Sequence, residues 1–260
     1  MSQATIIIPS RYGSTRFPGK PLAQIAGKTL LERVWSVAKA VPGSPRVVVA
    51  TDDERIFKHV SGFGAEVVMT SPECRNGSER VLEALKLLKA NSEIVLNLQG
   101  DAPLVPPWVV AEVIEELVKN PNVSVATPAV QLKATDLESS KESKTEAGGT
   151  YVVFDNQRNA MYFSKSRIPY IRSAPDGAAA PVFRHIGLYG YRKAALERYV
   201  SLEPGYFEQV EQLEQLRLLE NGIPIRVCIS DLRGRTLWSV DNPSDADRAA
   251  EIISKEGELV

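Results

Sequence analysis

The chain has few of the residues from which metal-binding and covalent active sites are usually built. Its 260 residues include two cysteines, Cys74 and Cys228, and two histidines, His59 and His185. Two widely spaced cysteines indicate neither a disulfide framework nor a zinc site, and they are compatible with a reducing cytosol. One histidine in a segment supports neither a metal cluster nor a catalytic triad. The sequence therefore gives no support to covalent catalysis.

Long apolar runs and strong net charge are also absent. No run approaches the 18 apolar residues of a membrane span, and the N-terminus lacks the basic and apolar regions of a signal peptide. The formal net charge is −1, without a Lys/Arg tract, which argues against a nucleic-acid-binding protein. The composition is ordinary, with 43% hydrophobic residues. A chain of this length and composition predicts one large domain, or one domain with a smaller annex.

The first seventy residues alternate between apolar strands and amphipathic helices. Apolar runs at 6–8 and 46–50 predict buried strands, and 66–69 predicts a third, short strand. Thr29 and Glu32 form a capping box that opens one helix, and a second helix is predicted near 54–62. This alternation is typical of a parallel, doubly wound sheet. Further strands are predicted at 93–98, 123–128, 151–154, 161–164, 183–191 and 224–228, and further helices after 78, over 106–119 and 207–221, and after 243.

The loop after the first strand carries cations and glycines that suit a polyphosphate. Arg11, Arg16 and Lys20 fall within ten residues of each other, among Gly13 and Gly19. Ligands of open α/β sheets bind beyond the carboxyl ends of the strands, glycine permits close backbone approach, and arginine binds phosphate oxygens in pairs. The glycine spacing is not that of a P-loop, and no dinucleotide fingerprint follows the strand. The loop therefore predicts a different kind of phosphate site, with a merely solvated loop as the alternative.

Two aspartates and one helix start are further candidates. Asp101 follows a buried strand and a glycine, a position suited to Mg²⁺ beside substrate phosphates, although turn aspartates are common. Asp241 precedes the last helix and either caps it or supplies a second metal carboxylate. Ser78 is either an N-cap or a ligand. Arg80, in the first turn of the same helix, opposes the helix dipole, which an anion nearby would offset.

The strand–helix alternation breaks between about residues 130 and 205. The segment 131–149 is charged and rich in Ser and Thr, and strand-like segments without intervening helices follow it. This change predicts a smaller subdomain that covers the site or supports a dimer.

Seven segments, in order, carry a resemblance to a known family. They are PSRYGSTRFPGKPL, RNGSER, NLQGDAPL, MYFSKSRIPY, RHIGLYGY, EQLEQLRLL and VDNPSDADR. Together they resemble the 3-deoxy-manno-octulosonate (Kdo) cytidylyltransferase family over nearly the whole chain. The first segment alone is typical of nucleotidyltransferases in general, whereas RHIGLYGY with LEQLR is more specific.

The resemblance implies a fold, a reaction and an assembly. The fold is a Rossmann-like α/β nucleotidyltransferase domain with a mostly parallel central sheet, in which 130–205 forms a smaller inserted subdomain for sugar binding or dimerisation. The reaction joins CTP and Kdo to give CMP-Kdo and pyrophosphate, with Mg²⁺, for lipopolysaccharide or capsule synthesis. The implied assembly is a homodimer in the cytoplasm, with no nucleic-acid or membrane partner.

The resemblance also implies roles for individual residues. Those implied for the nucleotide are Arg11, Ser14, Thr15, Arg16, Lys20, Arg75, Gly77, Ser78 and Arg80. Those implied for the sugar are Gln99, Lys165, His185, Glu214 and Gln215. Asp101 and Asp241 are implied as metal ligands, and with Lys20 and Arg16 they form the implied catalytic set.

Four departures from the family pattern leave the acceptor open. Ala102 and Lys165 stand where the family usually has Glu and Arg, the segment 149–151 replaces a stretch with Val and Lys, and 238–239 replaces a common glycine. Because the nucleotide loop matches the family, cytidylyl transfer is predicted first. An 8-amino-Kdo or a sialic-acid-like nonulosonate is an alternative acceptor. A non-catalytic nucleotide-binding protein is a further alternative, against which the retention of both Asp101 and Asp241 argues.

Overall fold

A mixed sheet, with ten strands among the residues that the structure describes, lies at the centre of the molecule. The computed structural model describes residues 4–13, 16–43, 45–132, 149–172 and 181–260. Its strands are β1 Ala4–Ser10, β2 Gln24–Ile25, β3 Lys28–Thr29, β4 Arg46–Thr51, β5 Glu66–Met69, β6 Ile94–Leu98, β7 Val125–Gln131, β8 Thr150–Phe154, β9 Ala160–Ser164, β10 Phe183–His185, β11 Leu188–Arg192 and β12 Arg226–Ile229. Its helices are α1 Leu30–Lys39, α2 Glu54–Gly62, α3 Gly77–Leu87, α4 Pro107–Lys119, α5 Lys193–Ser201, α6 Tyr206–Glu211, α7 Leu216–Glu220 and α8 Pro243–Glu256, with a 3₁₀ turn at Lys20–Leu22.

Most strands of the large sheet run in one direction. The order is β5-β4-β1-β6-β11-β7-β10-β8-β9, with β12 also paired to β7, while β2 and β3 form a separate hairpin. β5, β4, β1 and β6 are parallel, and β12 is parallel to β7. Among the described strands of this sheet, only β9, β10 and β11 run against the others. The prediction of a mostly parallel α/β sheet is confirmed.

Two apolar cores cover the two faces of this sheet. Side chains alternate along a strand, so Ile6 and Ile8 of β1 join one core and Ile7 joins the other. Leu31 of α1 belongs to the first core and Leu85 of α3 belongs to the second. The helices therefore cover the sheet from both sides, which leaves its edges and strand ends for a site. Within the described residues, no helix is long and apolar enough to span a bilayer.

The predicted helix over 207–221 is wrong as a continuous element. It is split into α6 and α7 by Gln212, which adopts a left-handed conformation with φ of 54°. Val210, an apolar residue of this segment, is 63% exposed. The two short helices are joined by a buried, two-contact ion pair in which Arg217 donates to Glu208 at 2.6 and 2.7 Å. This ion pair forms across the turn, so a tertiary contact and not the local helical spacing determines where the helix breaks.

The predicted single strand over 183–191 is interrupted at Ile186-Gly187. Both halves run antiparallel to β7, but Arg184 lies opposite Val130 whereas Gly190 lies opposite Ala126, so the register shifts by two residues. The break allows β10 to pair with β8 while β11 pairs with β6. The described residues of 130–205 thus add strands to the same large sheet. Their function as a sugar-binding or dimerisation subdomain stays a prediction.

Candidate functional site

Lys20 joins the cationic loop to both predicted metal carboxylates. Its ammonium donates to Asp101 Oδ2 at 3.0 Å and to the Val240 carbonyl at 2.9 Å, and it lies 3.8 Å from Asp241 Oδ1. Arg16 donates to the same Asp241 oxygen at 3.1 Å. The Lys20 side chain is 15% exposed, whereas the Arg16 side chain is 72% exposed. Three segments far apart in sequence therefore meet around one partly buried cation.

The strand order explains why these segments meet. β1 and β6 are parallel neighbours, so the loop after β1 and Asp101 after β6 leave the same edge of the sheet. The third segment is attached by the Val240 amide, which donates to the Asp101 carbonyl at 2.9 Å. Asn242, and not Asp241, caps α8, because its side chain accepts from the Asp245 amide. The Asp241 carboxylate is therefore left for the cation cluster.

Glycine and aromatic packing shape the loop between β1 and Lys20. Gly19 has φ of 72°, and a Cβ built on it would lie 3.0 Å from the Tyr12 ring. The Tyr12 carbonyl accepts a hydrogen bond from the Gly19 amide at 3.0 Å. The Arg55 guanidinium lies over the Tyr12 ring, 3.3 Å from its centre. Arg11 is exposed, and none of the described residues makes a hydrogen bond with its guanidinium. The predicted ligands Ser14 and Thr15 lie outside the described residues.

The start of α3 is organised differently from the prediction. Asn76 caps the helix by accepting from the Glu79 amide at 2.9 Å, so Ser78 is not the N-cap. Ser78 is instead buried, with its hydroxyl 3.2 Å from Asn97 Nδ2. Gly77 lies against the next loop, because a Cβ on it would be 3.7 Å from both terminal atoms of Gln99. The start of α3 therefore lies close to the Gln99 amide.

Arg80 has a protein anion as its partner. It is 4% exposed, and it donates to Asp52 Oδ2 at 2.7 Å and to Thr70 Oγ1 at 2.6 Å. The Asp52 carboxylate thus offsets the charge that opposes the helix dipole. Arg75 is paired with Glu79 at 2.7 Å on the surface. Direct contacts of Arg75 and Arg80 with a nucleotide stay predictions.

Lys165 and His185 lie together on the predicted sugar side. Lys165 Nζ donates to Thr150 Oγ1 at 3.2 Å, and Thr150 is the cross-strand partner of His185. His185 Nε2 is 2.8 Å from Thr127 Oγ1, whose own proton goes to the Leu188 carbonyl at 2.7 Å. The histidine therefore carries its proton on Nε2. Burial, assisted by the charge of Lys165, lowers the pKa of His185 from 6.5 to about 3.

The turn between α6 and α7 carries Glu214 and Gln215. Glu214 is exposed, and desolvation by the neighbouring protein, followed by the Glu208 carboxylate, raises its pKa. Gln215 is 4% exposed, and its Nε2 finds no partner among the described residues. Glu211 joins this turn to the other site residues, because it accepts from the Lys165 amide at 2.9 Å. The structure thus brings Lys165, His185 and the turn together.

Two buried polar residues of the site were missed in the sequence. Asn97 is fully buried in β6 and holds both Ser78 and Gln99. Thr127 is fully buried in β7 and fixes the proton of His185. Each is a polar residue inside an otherwise apolar strand, which is a signal in the sequence, because buried polar groups need a partner.

The low pKa of His185 predicts a loss of stability in acid. Its pKa of about 3 in the folded protein is below the value of 6.5 in the unfolded chain, so the unfolded chain binds more protons between pH 6.5 and pH 3. The free energy of unfolding therefore decreases as the pH is lowered through this range. We expect urea unfolding of the parent chain to lose about 1.5 kcal/mol more than H185N between roughly pH 6.5 and pH 5. Equal losses in both proteins would contradict a buried, neutral His185.

Known proteins resemble this chain over most of its length. The family model described as cytidylyltransferase matches residues 5–227. A 3-deoxy-manno-octulosonate cytidylyltransferase of Maricaulis maris (strain MCS10) is 57% identical over 98% of this chain and 98% of its own length. An 8-amino-3,8-dideoxy-manno-octulosonate cytidylyltransferase of Shewanella sp. (strain W3-18-1) is 40% identical over 96% of this chain and 98% of its own.

A solved structure is similar over the same length. It is that of a CMP:2-keto-3-deoxy-manno-octonic acid synthetase complexed with CTP, with a TM-score of 0.85 and 35% identity over 97% of this chain and 99% of the other. Because the family model covers most of the sequence and relatives well above 30% identity span nearly all of it, the chain belongs to the 3-deoxy-manno-octulosonate cytidylyltransferase family.

Proposed function

We propose that this chain transfers a cytidylyl group from CTP to Kdo, or to a close variant, with release of pyrophosphate. The observation that carries the proposal is the meeting of Lys20 with Asp101 and Asp241 at the carboxyl edge of the sheet. Such a meeting is what a metal-bound triphosphate needs, because it combines cations for phosphate with carboxylates for the metal. The relatives' names and the synthetase complexed with CTP supply the substrates.

Asp101 and Asp241 fit a Mg²⁺ site. Their carboxylates already share one cation, the Lys20 ammonium, and both are partly open to solvent. Mg²⁺ is typically held by one or two carboxylates together with substrate phosphates and water. When bound, Mg²⁺ would neutralise phosphate charge and lower the pKa of a coordinated hydroxyl. The proposed cofactor is therefore Mg²⁺, held by these two aspartates.

The chain's own residues position the reactants and neutralise charge. In the reaction the anomeric hydroxyl of the sugar acid gives its proton to water, and its oxygen forms a bond to the α-phosphorus. The bond between the α-phosphorus and the α–β bridging oxygen breaks, and pyrophosphate leaves. Arg11, Arg16 and Lys20 stabilise the negative charge that grows on the departing pyrophosphate. Neutral His185 contributes hydrogen bonding to the sugar and no charge. This kind of transfer requires orientation and electrostatics more than a covalent partner.

We further propose a cytoplasmic homodimer acting in lipopolysaccharide or capsule synthesis. β9 is an end strand of the large sheet, and Met161 on it is 66% exposed. Tyr206 and Val210 of α6 are 72% and 63% exposed, and Phe207 of α6 contacts Tyr162 of β9. An exposed strand edge beside apolar side chains is typical of an interface, and a second copy of this chain would bury it. Sedimentation as a monomer at micromolar concentration would refute the dimer.

An acceptor panel tests the reaction. Pyrophosphate release from CTP is measured with Kdo, with 8-amino-Kdo and with sialic acid, each with and without Mg²⁺. We expect release with Kdo that depends on Mg²⁺, and the Shewanella relative makes 8-amino-Kdo the second candidate. No release with any acceptor would contradict the proposal and favour a nucleotide-binding protein without catalysis.

A further inference from the structure

Asn97 is a polar residue at a buried strand position where an apolar side chain is expected. It is fully buried in β6 between Leu96 and Leu98, and its cross-strand partners are Ile7 and Tyr189. A buried amide without partners costs about 1–3 kcal/mol relative to an apolar side chain. An amide at this position therefore does not stabilise the sheet more than an apolar side chain would. Its presence is explained by the two residues to which it is hydrogen-bonded.

The amide of Asn97 holds one residue from each half of the site. Its Nδ2 donates to Ser78 Oγ at 3.2 Å, in the first turn of α3. Its Oδ1 accepts from Gln99 Nε2 at 3.1 Å, in the loop between β6 and Asp101. Gly77 leaves room for the Gln99 amide, because a Cβ at this position would already lie 3.7 Å from both of its terminal atoms. Asn97 thus connects the nucleotide side of the site to the sugar side.

This connection fixes the orientation of the Gln99 amide. A glutamine amide has one donor end and one acceptor end, and the donor end of Gln99 is taken by Asn97. The acceptor oxygen Oε1 is then left on the other side, and no described residue donates to it. Gln99 is partly exposed, so this oxygen is available to a ligand. A carbonyl oxygen presented in this way accepts a hydrogen bond from a hydroxyl group.

We infer that Asn97 is a positioning residue, which aims the Gln99 carbonyl oxygen at a hydroxyl of the sugar acid and holds it against the start of α3. The inference rests on the proposed function, since it assigns Gln99 to the acceptor substrate. Asn97 itself does not reach the substrate, because it is fully buried. Its loss would leave the Gln99 amide free to rotate, and the acceptor would no longer be held for reaction.

Asn97→Leu tests the inference, because leucine has a similar size and removes both hydrogen bonds. We expect kcat/KM for Kdo to fall by about 10–100-fold, while the Kd for CTP, measured by calorimetry, stays within about twofold. Asn97→Asp keeps the acceptor for Gln99 Nε2 and is expected to recover most of kcat/KM for Kdo. If Asn97→Leu does not fold, Asn97→Thr replaces it, since threonine favours strands and is too short for the Gln99 contact.

Thr5→Val is the matched control. Thr5 is a fully buried polar residue of the neighbouring strand β1, and its hydroxyl is hydrogen-bonded to Ser92 Oγ at 2.6 Å, away from the site. We expect this variant to lose stability in thermal unfolding without a change in kcat/KM. Unchanged Kdo kinetics in folded Asn97→Leu, or an equal loss in Asn97→Asp, would overturn the inference. Absence of pyrophosphate release by the parent chain would instead refute the proposed function.

Discussion

Replacing Asp101 with asparagine is expected to lower turnover of CTP and Kdo by about 10²–10³-fold, the range for losing one preorganised electrostatic contact. Asparagine has nearly the same shape, and its oxygen still accepts from Lys20, so the loop geometry is kept. The negative charge that a divalent cation needs is lost. Initial rates at saturating CTP and Kdo with Mg²⁺ measure the effect.

Stability should change little in this variant. In the ion pair, the Lys20 side chain is 15% exposed and the Asp101 side chain is 34% exposed. Because solvent screens such a pair, we expect the free energy of unfolding to fall by about 1 kcal/mol or less. Asp231→Asn is a suitable control, because Asp231 is also a turn aspartate after a strand, where it accepts from the Arg233 amide. This control should retain the parent turnover. Near-normal turnover of Asp101→Asn with Mg²⁺ present would remove the metal role of Asp101.

The parts of the fold that follow from local patterns were predictable from the sequence. The apolar runs that became β1, β4 and β6 are buried, and the capping box at Thr29 and Glu32 begins α1. The breaks were not predictable in this way. The left-handed residue Gln212 interrupts a good helical spacing because Glu208 and Arg217, nine positions apart, form a buried pair across the turn. A spacing of nine does not align two residues on one helix face, so no helical periodicity reports it.

Site residues whose position follows from the strand order were predictable from the sequence. Residues whose position depends on a particular side-chain partner were not. Parallel neighbours place the first loop and Asp101 at one edge, so their meeting follows from the strand order. Asp241 had two interpretations, as a helix cap or as a metal carboxylate, and the cap by Asn242 removes the first of them. The metal role of Asp241 stays a prediction. The Asp52 partner of Arg80 and the Ser78 partner of Asn97 lie far away in sequence. Such pairs become visible only when the chain is folded.

The position of Lys20 leads to a prediction about metal binding without nucleotide. Its ammonium is within 3.0 Å of Asp101 and 3.8 Å of Asp241, where a divalent cation shared by these carboxylates would also lie. Two cations so close repel each other by several kcal/mol, roughly 4 for unit charges 4 Å apart near a protein surface. Metal binding in the nucleotide-free protein must therefore displace Lys20, whereas the phosphates of CTP offer Lys20 other partners.

Lys20→Met is accordingly expected to have opposite effects on metal binding and on turnover. We expect the nucleotide-free variant to bind Mn²⁺ at least about tenfold more tightly than the parent chain, because the competing charge is gone. Turnover should fall by about 10²-fold or more, because a cation that stabilises pyrophosphate is lost. Free Mn²⁺ is measured by electron paramagnetic resonance. Arg16→Met is the control, since among the described aspartates Arg16 contacts Asp241 and not Asp101, and it is 72% exposed, so its removal should change Mn²⁺ affinity far less. Equal Mn²⁺ affinity in Lys20→Met and the parent would show that Lys20 does not compete for the carboxylates, and the coupling between metal and nucleotide binding would need another cause.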